Sequence, residues 1–177
     1  VNDLFLKSKY RYQLSDFALT AKLHAHQLFN RLENNVTKDT QNPFFINPSI
    51  GFDWKINDTN KILSNYSYNT TNAKVLDVYN NFVLNGFRSF VAGAGEFNQL
   101  DASSIMFNYQ LGNWSNRFFA NTFILYSNNH DFFSTNTLVE QNFTQSQKIV
   151  IKDREFITIN SKIDYYFKFI DSNLKLD

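Results

Sequence analysis

The residues of this chain best placed to do chemistry are two histidines two positions apart, His24 and His26, and a file of cations at Lys7, Lys9 and Arg11. A His-x-His pair on one face of a strand can turn two imidazoles toward one metal ion. A closed site of that kind needs further ligands, and none stands nearby in sequence; His130 falls far away in a polar stretch. The pair reads as two solvated polar residues, and no metal or cofactor is expected. The carboxylates Asp53, Glu96, Asp101, Asp164 and Asp171 are scattered, and sequence cannot pair them at the separations that glycoside hydrolysis requires. No Ser-His-Asp order with a nucleophile elbow is visible. Residues 86–95, GFRSFVAGAG, set glycines around Arg88 but lack the GxxxxGK[ST] order of a phosphate loop. Arg88 reads as an anchor holding its loop to a carboxylate. The expectation is a binding or transport role and not an enzyme.

Composition narrows the class. The 177 residues carry 17 basic and 16 acidic side chains, a formal charge of +1, and no basic run of the nucleic-acid kind, so no nucleic-acid partner is expected. Without cysteine there is neither a disulfide framework nor a thiolate metal site. Aromatic content is high at 18%. Mean hydropathy is −0.38 and no apolar run approaches the length of a membrane helix. That excludes a helical membrane protein but not a membrane barrel, whose strands hide their apolar face by alternation.

The elements that position these residues are strands. Residues 156–169, FITINSKIDYYFKF, place Ile157, Ile159, Ile163, Tyr165, Phe167 and Phe169 on one face, broken only by Ser161. Thr158, Asn160, Lys162, Asp164 and Lys168 lie opposite, which is a period of two. The run is long for a soluble strand and about the length that crosses a bilayer at a tilt. The same pattern predicts strands at about 4–12, 17–29, 44–56, 61–69, 100–111 and 117–127, with a further one starting at Leu174. In the first, Leu4, Leu6, Tyr10 and Tyr12 oppose Lys7, Lys9 and Arg11; in the second, Leu19, Ala21, Leu23 and Ala25 oppose Lys22, His24 and His26. Unpaired cations cannot occupy a dry core, so that face is wet.

The connections alternate in length. Tight turns are expected at 13–16, 57–60, 112–116 and 170–173, and long loops at about 30–43, 70–98 and 128–148, although residues 138–143 could extend a hairpin above the membrane. Consecutive turns of a meander fall at opposite ends, so one end collects short turns and the other long loops, as in outer-membrane barrels. Rings such as Tyr10, Tyr12, Trp54, Tyr109, Trp114 and Tyr165 lie near strand ends, where a membrane interface satisfies both body and tip. The expected fold class is all-β: an antiparallel up-and-down meander of about eight strands, part of a transmembrane outer-membrane β-barrel.

The runs NPFFINPSIGFDW (42–54), VYNNFVLNGFRSFVAGAGEF (78–97) and FFANTFILYSNNHDF (118–132) resemble the barrel of TonB-dependent receptors of the Bacteroidota type. The resemblance implies a barrel of about 22 strands around a plug, in the bacterial outer membrane, importing a siderophore, vitamin or glycan with energy relayed by TonB. It implies as partners membrane lipid, the plug of the same protein, TonB and a surface lipoprotein. No plug and no TonB box stand in these residues. Val1 opens in mid-pattern without signal-peptide features and Asp177 follows a short step into a new strand. The expectation is one undivided segment, 1–177, of a longer protein.

On this reading Lys7, Lys9, Arg11, Lys22, His24, His26, Lys162 and Lys168 face the lumen. Tyr79, Phe82, Phe87, Arg88, Phe90 and Phe97 are candidates for contact with ligand or partner from the long central loop, or for packing that loop on the rim. Two other readings are a soluble β-sandwich binding carbohydrate or protein, and a small stand-alone barrel or adhesin.

Overall fold

The structure, a computed structural model, describes residues 2–33, 38–96, 99–113 and 117–176. Its elements are β1 (Asn2–Leu14), β2 (Phe17–Glu33), β3 (Lys38–Gln41), β4 (Phe44–Lys55), β5 (Asn60–Asn72), a single helical turn α1 (Val75–Val78), β6 (Val83–Gly86), β7 (Ser89–Ala92), β8 (Gln99–Gly112), β9 (Phe118–Val139), β10 (Thr144–Phe167) and β11 (Ser172–Leu176). The long strands pair in the order β1-β2-β4-β5-β8-β9-β10, with β11 on β10, and every one of these pairings is antiparallel. This is the expected eight-stranded meander.

The pairing register carries the sequence alternation across the sheet. One row runs Tyr10, Ala21, Ile50, Tyr66, Ile105, Tyr126 and Ile157, each directly opposite the next. The next row runs Tyr12, Leu19, Phe52, Ser64, Phe107, Ile124 and Ile159. Neither row holds a charge. The opposite face runs Lys9, Lys22, Ser49, Ser67, Ser104, Ser127 and Phe156, then Lys7, His24 and Asn47. A one-residue slip of any strand would swap its two faces, so the register is strongly specified.

No second layer covers the apolar face among the described residues. Tyr10 is 64% exposed, Ile50 50%, Ile157 62% and Ile159 63%. A sandwich would bury that face under another sheet, so the sandwich reading loses its physical basis. The buried apolar residues lie off the apolar rows: Ala73, Val78 and Ala92 belong to the central connection, and Ala18, Leu28 and Phe119 lie on the opposite face of β2 and β9.

The tight turns have local causes. Ser15 and Asp171 adopt left-handed backbone, with φ of 48° each. Asn57 Oδ1 accepts from the backbone N–H groups of Thr59 and Asn60 at 2.9 and 2.8 Å, closing its turn through a side chain. Gly112 has φ 85°, and a Cβ there would meet the Phe118 carbonyl oxygen at 2.1 Å. The predicted turn at 112–116 partly falls outside the described residues, as do Trp114 and Phe97.

At the other end the structure corrects the expected loops. The stretch 128–148 is not a loop: β9 and β10 run 22 and 24 residues and turn within 140–143. Both strands are about twice the 9–11 residues with which a tilted strand crosses a bilayer. The sequence of the hairpin's upper half, rich in Asn, Ser, Thr and Gln, is polar on both faces and so shows no period of two. Cross-strand pairing from Thr144–Val139 down to Lys152–Asp131 forms it regardless. Residues 30–43 likewise continue β2 to Glu33, and β3 pairs back onto it. The strand expected at 156–169 ends at Phe167, which leaves Lys168 in the following turn and off the strand.

With the protein in a lipid bilayer, Ile159→Arg or Leu19→Arg should cost about 2–4 kcal/mol near the midplane. Thr20→Arg and Asn160→Arg, one residue away on the polar face, should cost much less in a urea titration. Gly112→Ala should destabilise by roughly 1–3 kcal/mol through backbone strain and the close carbonyl contact, measured in the same titration.

Candidate functional site

The polar face of β1 and β2 gathers the cations named from the sequence. Lys9 stands directly opposite Lys22, Lys7 opposite His24, and Arg11 opposite Thr20. His24 in turn faces Asn47, and His26 faces Phe5 and Phe45. Lys162 lies on the same face of the sheet at the far side, opposite Asn121. Seven of the eight residues expected to face the lumen thus share one face, and Lys168 is the exception.

The acidic groups near the β1–β2 file are already engaged. Asp3 approaches His26 Nδ1 at 3.1 Å, and Asp53 pairs with Lys61 at 3.3 Å. The His26 ring stacks on Phe45 at 5.1 Å between centroids and lies 6.1 Å from Phe5. Lys7 Nζ sits 5.0 Å from the centre of the Phe5 ring. His24 and His26 share a face but differ in surroundings, and no three His, Asp or Glu side chains converge among the described residues.

Above this wall, residues 73–96 form a strap. Ala73 and Val78 pack on Phe133 of β9, and the Asp77 carboxylate takes a hydrogen bond from Lys148 Nζ of β10. Lys148 belongs to the even-numbered row of β10 that also holds Asn160 and Lys162, and it lies 5.6 Å from the Phe133 ring centre. The strap therefore lies over the polar face and leaves the apolar one open. Its return leg closes on α1: the amides of Gly93, Ala94 and Gly95 donate to the carbonyls of Tyr79, Asp77 and Val78 at 2.6, 2.6 and 3.1 Å. Gly93 permits this approach, since a Cβ would meet the Asp77 carbonyl oxygen at 2.5 Å. β6 and β7 form a hairpin, and β7 adds in parallel to the upper edge of β10 at Thr144–Gln147.

The strap holds the aromatics predicted for contact, and it separates them. Phe90 packs edge-on against Phe143 with centroids 6.4 Å apart, so it fastens the loop. Phe87 is 90% exposed at the hairpin tip, and Phe82 is exposed beside it. The Tyr79 hydroxyl accepts from Asn81 Nδ2 at 3.4 Å. Arg88 does not reach a carboxylate among the described residues; its guanidinium lies 4.9 Å from the Phe87 ring centre. The carboxylate anchor exists, but Asp77 and Lys148 make it. Sequence reasoning missed both because each stood in a stretch without periodicity. The nearest signal was the number of apolar residues in 73–91, which required the loop to fold onto something.

Burial beneath the strap pushes the Asp77 carboxyl up, and the hydrogen bonds from Lys148 and from the Lys74 amide outweigh it, so the group titrates below its ordinary value. A cleft of about 530 Å³ opens between the strap's Ala94 and Glu96 and the upper β10 residues Gln147–Lys152.

No family model matches the chain, and no curated protein matches it. Among solved structures it is similar to the FrpB iron transporter from Neisseria meningitidis (F3-3 variant), with a TM-score of 0.61 at 14% identity. The match covers 92% of this chain and 23% of that chain, so the chain spans about a quarter of the transporter's length. The likeness is one of fold: the sheet is laid out like a stretch of that iron transporter. The match gives the Bacteroidota part of the resemblance no support.

The Asp77–Lys148 contact makes the strap acid-sensitive. A carboxylate with a lowered folded-state pKa contributes stability that is full above its unfolded value of about 3.9 and is lost as pH falls through the folded value. Hydrogen-exchange protection factors at the Gly93 to Gly95 amides, taken against the intrinsic rate at each pH, should stay high at neutral pH and fall only below about pH 4. Lys148→Gln leaves a buried carboxylate short of a partner, a cost of about 1–3 kcal/mol, and should quicken exchange at those amides at neutral pH. Unchanged exchange in that variant would show that the contact does not hold the strap.

Proposed function

We propose that this chain is part of the barrel wall of a TonB-dependent receptor that imports a nutrient of the siderophore, vitamin or glycan class across the bacterial outer membrane. The observation that carries this reading is an apolar face whose two central rows hold no charge over seven strands and which is left open, backed by a face that is largely polar. Water opposes that exposure, and lipid removes the penalty. Lys7, Lys9, Arg11, Lys22, His24, His26 and Lys162 then line the interior, and the strap overhangs it from the long-loop side.

The sheet edges support a larger barrel. Among the described residues β1 has a strand on one side only, and β10 between Lys148 and Lys162 has none on its second edge. Backbone groups facing hydrocarbon must be paired within the protein, so further strands close the wall. The family resemblance supplies a plug within it and TonB and a surface lipoprotein as partners.

Deleting the gene from the source organism should abolish growth on one limiting nutrient of these classes and leave growth on rich medium unchanged. Removing TonB should produce the same defect. The protein itself should require detergent for extraction from the outer-membrane fraction. Recovery in the soluble fraction, or unchanged growth on every such nutrient, would overturn the proposal.

A further inference from the structure

Resting on the reading that the polar face lines the barrel interior, we infer that the β1–β2 cation file is a binding site for a polyanionic solute, a polycarboxylate or polyphosphate. In β1 and β2 the like charges Lys9 and Lys22 stand on the same rung, and Lys7 and Arg11 occupy the rungs on either side. Same-face rungs lie about 6.7 Å apart, so the file extends about 13 Å along β1 and is two strands wide. Like charges directly opposite in a sheet oppose folding. A bound anion would relieve that repulsion.

The neighbouring side chains do not supply it. Asp3 belongs to His26, Asp53 to Lys61 and Asp58 to Lys55, Asp16 lines the cleft beside Arg11 at the turn, and β4 presents Asn47 and Ser49. Lys9, Arg11 and Lys22 make no ion pair with any described residue, and Lys7 rests on the Phe5 ring. Asn47 is itself committed: its side chain exchanges hydrogen bonds with the Thr70 backbone at 3.2 and 2.7 Å. The site is thus a set of amines and a guanidinium with hydrogen-bond donors to spare and few acceptors. That donor set suits multiple carboxylate or phosphate oxygens and offers little to a neutral sugar, which needs acceptors as well as donors.

The test uses the full-length protein in detergent, with citrate and tripolyphosphate as probes and maltotriose as the neutral control, read by titration calorimetry. Wild type should bind at least one polyanion and not maltotriose, with affinity falling as salt rises from 50 to 200 mM. Lys9→Gln/Lys22→Gln should weaken that binding by tenfold or more, Lys9→Arg/Lys22→Arg should retain it, and Lys168→Gln in the turn should leave it unchanged. Failure of wild type to bind either polyanion, or undiminished binding by the double glutamine variant, overturns the inference. Loss of thermal stability in that variant, with no polyanion binding in wild type, would assign the file to an acidic segment of the protein and also overturn it. Outer-membrane fractionation of the same wild-type protein separates the two claims: protein that fractionates correctly but binds no polyanion sinks only this inference.

Discussion

The structure depends on one constraint: an apolar face without a protein cover has to meet something other than water. A folded soluble domain resolves this by stacking a second layer. Here the layer is single, and large apolar groups from Leu4 at one edge to Leu176 at the other remain exposed. The strand register is what makes this a continuous surface. Each strand alternates independently in sequence, but pairing places Ile50 beside Tyr66 and Ile124 beside Ile159. The same register assembles the polar face, so a hydrophobic belt and a wet wall are two consequences of one alignment.

The two ends of the sheet answer different demands. At the short-turn end, left-handed residues, an Asn side chain and Gly112 reverse the chain in as few residues as geometry allows. At the other end β9 and β10 run well past the length a bilayer requires, and the chain between β5 and β8 folds back over the polar face as the strap. The strap is held by a buried carboxylate on a lysine, by three backbone hydrogen bonds to Asp77, Val78 and Tyr79, and by β7 pairing on the edge of β10. These interactions are local and few, which is the arrangement of a segment that opens separately from the wall it rests on.

The wall was legible in sequence because alternation is a direct record of two unlike environments. Ile157, Ile159 and Ile163 against Thr158, Asn160 and Lys162 could only be a strand between a greasy side and a wet one. Of the upper half of the β9–β10 hairpin only an extension at 138–143 was legible, because Asn, Ser, Thr and Gln occupy both faces there and the period vanishes. The file Lys7, Lys9, Arg11, Lys22 and His24 could be placed on wet faces from sequence, but the confrontation of Lys9 with Lys22 is a fact of register, fixed by the turn at Ser15 and Asp16. The Asp77–Lys148 contact joins residues 71 positions apart in two aperiodic stretches, and no local pattern marks it.

The account turns on which face meets lipid. The chain has no cysteine, so single cysteines at successive positions 157–163 can carry nitroxide labels in the full-length protein reconstituted in lipid vesicles, with any cysteine elsewhere replaced. Accessibility to oxygen should peak at 157, 159, 161 and 163, and accessibility to a polar nickel chelate should peak at 158, 160 and 162, the two in opposite phase with a period of two. Parallel profiles without that alternation, or the reverse phase, would contradict the assignment and with it the barrel-wall reading.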